Sequence, residues 1–347
     1  MAKNGSTKSQ GKRWHRVALG LAALVVASVI GAYFLASPRG QGDAPPRVTK
    51  ITYAMPITLA AIPAYVAAEK GFWQEEGLEV ERKMFSAGRL AVDALLSESA
   101  EVMSVSETPL VHAILKGNDV YIVSTVTEHQ ETKFIGRKDH GIKKPGDLRG
   151  KRIATLPGTN SDYFMYEFLQ AHGISVSDVK VTNLAPPDMV TALVSGNIDG
   201  YFAWEPHISY AQKRLGDKAM VIAPGDLYHG RHCIAMNRKY VEKNPNIVEK
   251  LVRGFLRAEE FVKENPEEAQ QIVAKVTGLE MDTVEALWRE YHIKVQLDQR
   301  FLAILEKEGN WARAIDLQAK GTVERIVNSV YTNALKTVRP ERVEIGN

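Results

Sequence analysis

Residues 48–88 read VTKITYAMPITLAAIPAYVAAEKGFWQEEGLEVERKMFSAG. A short alternating strand over 48–54 breaks at Met55-Pro56, and a helix predicted over 61–70 stops at Gly71, as helix C-termini commonly do. Residues 79–85 alternate apolar and charged side chains, the pattern of a strand near a sheet edge. Ser86-Ala87-Gly88 then opens a helix with apolar Leu90, Ala91, Ala94 and Leu95. A third strand over 102–105 and a helix over 110–115, closed by Gly117, continue the alternation. Strand and helix in turn predict the α/β class, with a parallel sheet covered by helices on both faces.

Downstream the plan repeats. Residues 121–126 and 132–136 are β-rich, and a second set of units follows: strand 151–155, helix 162–171 before Gly173, strand 179–184, helix 188–195 ended by Gly196, strand 200–203. From Pro245 the pattern turns helical, with Ile247, Leu251, Phe255, Ala258 and Phe261 on one face. Pro266 halts that run, and helices are predicted over 267–277, 281–292, 299–310 and 322–334. No short solenoid repeat is present.

A chain of 347 residues, 45% hydrophobic and 24% charged, excludes disordered and fibrous classes and suffices for two lobes with separate cores. Its net charge of +3 is unevenly placed. Residues 1–42 hold six basic side chains and no acidic one, which leaves 38 basic against 41 acidic in the remainder. The folded part is mildly acidic, so no nucleic-acid partner is expected. Residues 17–36, VALGLAALVVASVIGAYFLA, carry no charge. Twenty helical residues at about 1.5 Å each span the roughly 30 Å bilayer core. Positive flanks keep 1–16 in the cytoplasm and send the rest across. A cleaved signal segment is the alternative, although Phe34-Leu35-Ala36 matches a small-x-small site poorly. Residues 37–47 read as a Pro/Gly-rich linker. The single cysteine, Cys233, excludes an intrachain disulfide and a lipid-modified cysteine after the apolar segment; it reads as a core residue.

Three stretches resemble the type II periplasmic binding proteins that serve nitrate, sulfonate, taurine and thiamine-precursor importers of the ABC type. They are AAEKGFW at 67–73 running on to EGLEV at 76–80; GKRIA at 150–154 leading into GTNS at 158–161; and AL at 192–193 with GNIDG at 196–200 and WEP at 204–206. The resemblance implies two α/β lobes joined by a hinge and preceded here by the N-terminal transmembrane helix. Residues 48–130 and 233–347 would form lobe 1, residues 138–228 lobe 2, with hinge strands near 121–135 and 229–237. It also implies a monomeric solute-binding component on the extracytoplasmic (periplasmic) face of the inner membrane, with a small-molecule solute and ABC permease and ATPase subunits as partners and no cofactor.

In open parallel sheets ligands gather beyond the carboxyl ends of the strands. The loops to inspect therefore hold Thr58, Ser86, Ser106 and Glu107 in the first lobe and Thr159, Asn160, Ser161, Trp204 and Glu205 in the second. Gly158-Thr159-Asn160-Ser161 at a helix N-terminus suits an anionic head group. Against that, Asp162 could itself satisfy the dipole and leave Ser161 a plain N-cap. Trp204 offers apolar area with a polar edge. Glu107 and Glu205 oppose an anion unless a cation intervenes: either they face the ammonium of a zwitterion such as an aminosulfonate, or they are solvated or paired with lysine. Arg231 could meet an oxyanion bidentately or sit in a hinge ion pair. His229-x-x-His232 has the wrong spacing for a helical zinc pair, and no metal is assigned.

No Gly-x-Ser-x-Gly elbow, phosphate loop or Gly-x-Gly-x-x-Gly follows a strand, so an enzyme is disfavoured. The expected ligand is a small anionic or zwitterionic, sulfonate- or taurine-like solute. A neutral pyrimidine thiamine precursor and a ligand-sensing ectodomain are the alternatives.

Overall fold

Two sheets organise the chain in the computed structural model, which describes residues 48–345. The tail 1–16, the predicted anchor 17–36 and the linker 37–47 lie outside these residues. Among the described residues no helix is long and apolar enough to cross a membrane.

The strands are β1 Thr49–Pro56, β2 Leu78–Phe85, β3 Val102–Ser106, β4 Val120–His129, β5 Lys133–Arg137, β6 Arg152–Thr155, β7 Lys180–Asn183, β8 Gly200–Ala203, β9 Ala219–Ile222, β10 Gly230–Asn237 and β11 Tyr291–Gln296. The first sheet has the order β11-β4-β10-β3-β1-β2 and the second β7-β6-β8-β5-β9. The chain passes from one to the other at residues 130–132 and returns at 223–229. The expected edge strand is β2, whose charged positions face solvent while Leu78 is buried.

Neither sheet is purely parallel as the alternation predicted. β10 runs antiparallel to both β3 and β4, and β11 antiparallel to β4. β5 runs antiparallel to β8 and β9. The cause is topological: strands on either side of a crossing between sheets enter without a covering helix to reverse the chain. Strand β9 was not anticipated. Residues 281–292 form a helix only as far as Leu287, then a tight turn leads into β11. Residues 322–334 are two short helices, Val323–Val327 and Asn333–Val338, and the stretch between them is pinned to β4 by Ile122 N–H on Ser329 O and Tyr331 N–H on Ile122 O, both 2.8 Å.

The helical face read from sequence buries Ile247, Leu251, Phe255 and Ala258 of the helix Pro245–Glu264. Phe255 packs edge-on against Trp73 and Tyr53, with centroids 5.2 and 6.3 Å away. Trp73 donates from Nε1 to Leu251 O at 3.2 Å, so its ring lies across Gly254. A Cβ there would stand 2.2 Å from Trp73 Cδ1. Phe134 and Phe202 of the second sheet pack with Phe164 and Phe168 of the helix Asn160–Ala171, mostly edge-on, with centroids 5.0–6.2 Å apart. Full burial of each such ring contributes about 2–3 kcal/mol.

Candidate functional site

The crossings bring the carboxyl ends of both sheets' strands to one place. There Pro56, Thr58, Gly88, Ser106, Pro109, Glu131, Thr159, Asn160, Trp204 and His232 line a small cavity of about 20 Å3 that opens in part to solvent. Five of the sequence-predicted residues are therefore together: Thr58, Ser106, Thr159, Asn160 and Trp204. Glu131 and His232 were not foreseen, since one lies in the crossing segment and the other inside β10.

Three helices begin at this cavity: Gly88–Leu96, Glu107–Leu115 and Asn160–Ala171. Their N-cap residues, Ala87, Ser106 and Thr159, make no side-chain capping bond to their own helix. Such ends carry a partial positive charge; at the second of them the Glu107 carboxyl bonds to its own backbone N–H. Thr159 turns its hydroxyl to Leu156 O at 2.7 Å, and Asn160 Nδ2 donates to Thr132 Oγ1 at 2.7 Å. Ser161 is not the N-cap: it lies within the helix, fully buried, its hydroxyl 2.9 Å from that of Thr159. Asp162 reaches back and accepts from Gly158 N–H at 3.0 Å, and burial pushes its carboxyl up to about 6.

Several buried polar atoms at the cavity have no partner among the described residues. Trp204 Nε1, which can only donate, is one, and both ring nitrogens of His232 are others. Burial lowers His232 to about 3, so the ring is neutral. Ser106 Oγ lies 3.4 Å from His129 Nε2, and burial, with the charge of Arg231 adding to it, holds His129 well below its usual value.

Glu131 is 1% exposed. Its oxygens accept from Thr58 Oγ1 at 2.5 Å, Tyr291 Oη at 3.0 Å and Ala60 N–H at 3.2 Å. Burial nonetheless raises it to about 8, and the charge of Glu205 adds to the rise.

The other expected residues do not line the cavity. Glu107 is buried and accepts from Tyr228 Oη and Arg231 N–H, both at 2.7 Å. Glu205 is paired with Lys133 at 3.2 Å and accepts from Ser209 N–H at 3.0 Å; of the two readings of this carboxylate, the lysine pair is the one formed. Arg231 is engaged with Glu128 and stands 3.8 Å from Asp298, an ion pair beside the crossing. Ser86 is half-buried outside the lining set. No sequence signal separated Glu107, Glu205 and Arg231 from the others, because Tyr228, Lys133 and Glu128 are distant from them in the chain.

A model of the family described as NMT1/THI5 like matches residues 59–269. The taurine-binding periplasmic protein of Escherichia coli (strain K12) is 28% identical over 228 residues, 62% of this chain and 68% of that protein. The alkanesulfonate-binding protein SsuA from Xanthomonas axonopodis pv. citri, solved bound to MOPS, superposes with a TM-score of 0.72 at 18% identity, over 82% of this chain and 98% of that one. The desulfurization enzyme DSZB shares the fold more distantly, with a TM-score of 0.55 at 17% identity over 81% of this chain and 98% of that one. At such identities the two structures establish the two-sheet periplasmic-binding-protein fold, and the family match covers more than half of the sequence: the chain belongs to the NMT1/THI5-like family.

Proposed function

We propose that this protein is the extracytoplasmic solute-binding component of an ABC importer, which captures a small anionic or zwitterionic solute between two lobes and delivers it to a permease. The lobes are residues 48–130 with 233–347, and 138–228. Residues 17–36 export the domain and tether it. The observation that carries the reading is the cavity where the sheets meet, with three uncapped helix ends and the unpartnered, buried Trp204 Nε1. Buried donors without partners are costly, and an oxyanion solute would satisfy them. The names of the periplasmic relatives support the same reading. Binding stabilises the closed arrangement in proportion to the solute's preference for it over the open one, and the closed surface then docks on the permease. The relatives are binding proteins by name, which favours capture over catalysis.

Thermal denaturation of the purified protein with taurine, alkanesulfonates, nitrate, bicarbonate or pyrimidines tests this, because a ligand that binds only the folded state raises the melting temperature. Taurine or a sulfonate should raise it. A shift with neutral pyrimidines alone would reject the oxyanion reading.

A further inference from the structure

The cavity has two chemically distinct halves. One half donates: Trp204 Nε1 and the helix ends at Ala87, Ser106 and Thr159 offer N–H groups. The other half is Glu131, an acceptor when ionised, held by Thr58, Ala60 and Tyr291. A carboxylate has about four acceptor positions, so three donors leave it one more to offer. None of the lining residues is Lys or Arg, so among the described residues no cation occupies that position within the cavity.

A bare oxyanion would satisfy the donor half and set its charge against a carboxylate. A solute with an ammonium a few bonds from its oxyanion matches both halves. We infer that Glu131 is the specificity-determining residue for a zwitterionic solute, meeting its ammonium while the donor half holds its oxyanion head. The inference rests on the solute-capture reading above.

The groups around Glu131 make the contact proton-linked. Tyr291 and Thr58 bind it, Tyr65 Oη bonds to Thr58 O, and Glu205 faces it with Lys133 and Glu290 behind. His232 also lines the cavity and is neutral. With its carboxyl raised to about 8, Glu131 is mostly protonated near pH 7 in the free protein. An arriving ammonium favours the ionised form, and the proton passes to the buffer. A sulfonate without an amine provides no such drive.

Calorimetric titration of the full-length chain at pH 7, in two buffers of different ionisation enthalpy, tests the assignment with taurine and ethanesulfonate. Taurine should bind at least about tenfold more tightly, as one charge-assisted hydrogen bond allows. It should release close to one proton per molecule bound, whereas ethanesulfonate should release none. Glu131→Gln should bring the two affinities within about threefold and abolish the release. Equal wild-type affinities, absence of proton release with taurine, or a variant that keeps the preference would each overturn the role of Glu131. The wild-type comparison stands even if the variant does not fold. If neither probe binds and a neutral pyrimidine does, the oxyanion reading fails and this inference with it; if ethanesulfonate binds as well as taurine, only the inference fails.

Discussion

Lys133 Nζ donates to Glu290 Oε1 at 2.7 Å and thereby ties the first residue of β5 to the turn that precedes β11. The contact joins the two sheets beside the cavity, and Lys133 also reaches Glu205 at 3.2 Å. The Lys133 side chain is 6% exposed and that of Glu205 2%.

Breaking a buried pair leaves an uncompensated charge, which costs about 3–5 kcal/mol. Lys133→Met is therefore expected to destabilise the protein by roughly 3 kcal/mol in urea denaturation. Adding Glu205→Gln should restore part of the loss, because the stranded charge is then gone. A single variant within about 0.5 kcal/mol of wild type would show that the pair contributes nothing net.

Trp204 separates area from donor. Trp204→Ala should abolish measurable binding of any ligand found in the thermal screen. Trp204→Phe keeps most of the ring and loses only Nε1–H, so an affinity loss of about tenfold, the worth of one hydrogen bond, is expected. Unchanged affinity in both variants would remove Trp204 from the site.

Stability should also depend on pH through three buried groups. Glu131 stands at about 8 when folded, above its ordinary 4.5, so the native state keeps a proton that the unfolded chain releases. Its contribution is complete below about 4.5 and disappears as pH rises to about 8. Glu308, raised by burial and by the charge of Glu107, acts in the same direction. His232 acts oppositely: held near 3 by burial, it loses stability for the fold as pH falls from 6.5. Glu131→Gln should thus shrink the drop in melting temperature between pH 5.5 and 8, a drop to which this one carboxyl contributes roughly 2–4 kcal/mol at about 1.4 per pKa unit. An identical slope in wild type and variant would reject the assignment.

Gly254 sits in mid-helix, where glycine is normally a cost of about 1 kcal/mol. Here the indole of Trp73 occupies the space a methyl would need. Gly254→Ala should destabilise by about 1–3 kcal/mol through overpacking, against the propensity gain, and circular dichroism melts would register it. A more stable variant would mean that Trp73 moves aside freely.

Much of this fold is legible in the sequence because glycines and prolines punctuate it: Gly71, Gly117 and Gly196 mark helix ends at the distances a strand–helix alternation needs. β11 is not legible, because residues 281–292 continue a helix-forming composition and the switch is decided by pairing Tyr291 opposite His129, more than 160 residues away. The site divides by the same rule. Thr58, Ser106, Thr159 and Trp204 follow or end strands and could be found by position. Glu131 and His232 lie in a crossing segment and a strand interior, where no local pattern marks a lining residue. Glu107, Glu205 and Arg231 look like free charges in one dimension, and only the arrival of Tyr228, Lys133 and Glu128 assigns them structural partners.

The place of β10 between β3 and β4 has a consequence for how the chain assembles during synthesis. All five strands of the second sheet, residues 133–222, leave the ribosome before the strand that must slot into the middle of the first. Until then β3 and β4 have bare edges, while the later segment can finish its own hydrogen bonding. The younger half of the molecule is thus able to mature first, and the older half waits for its centre.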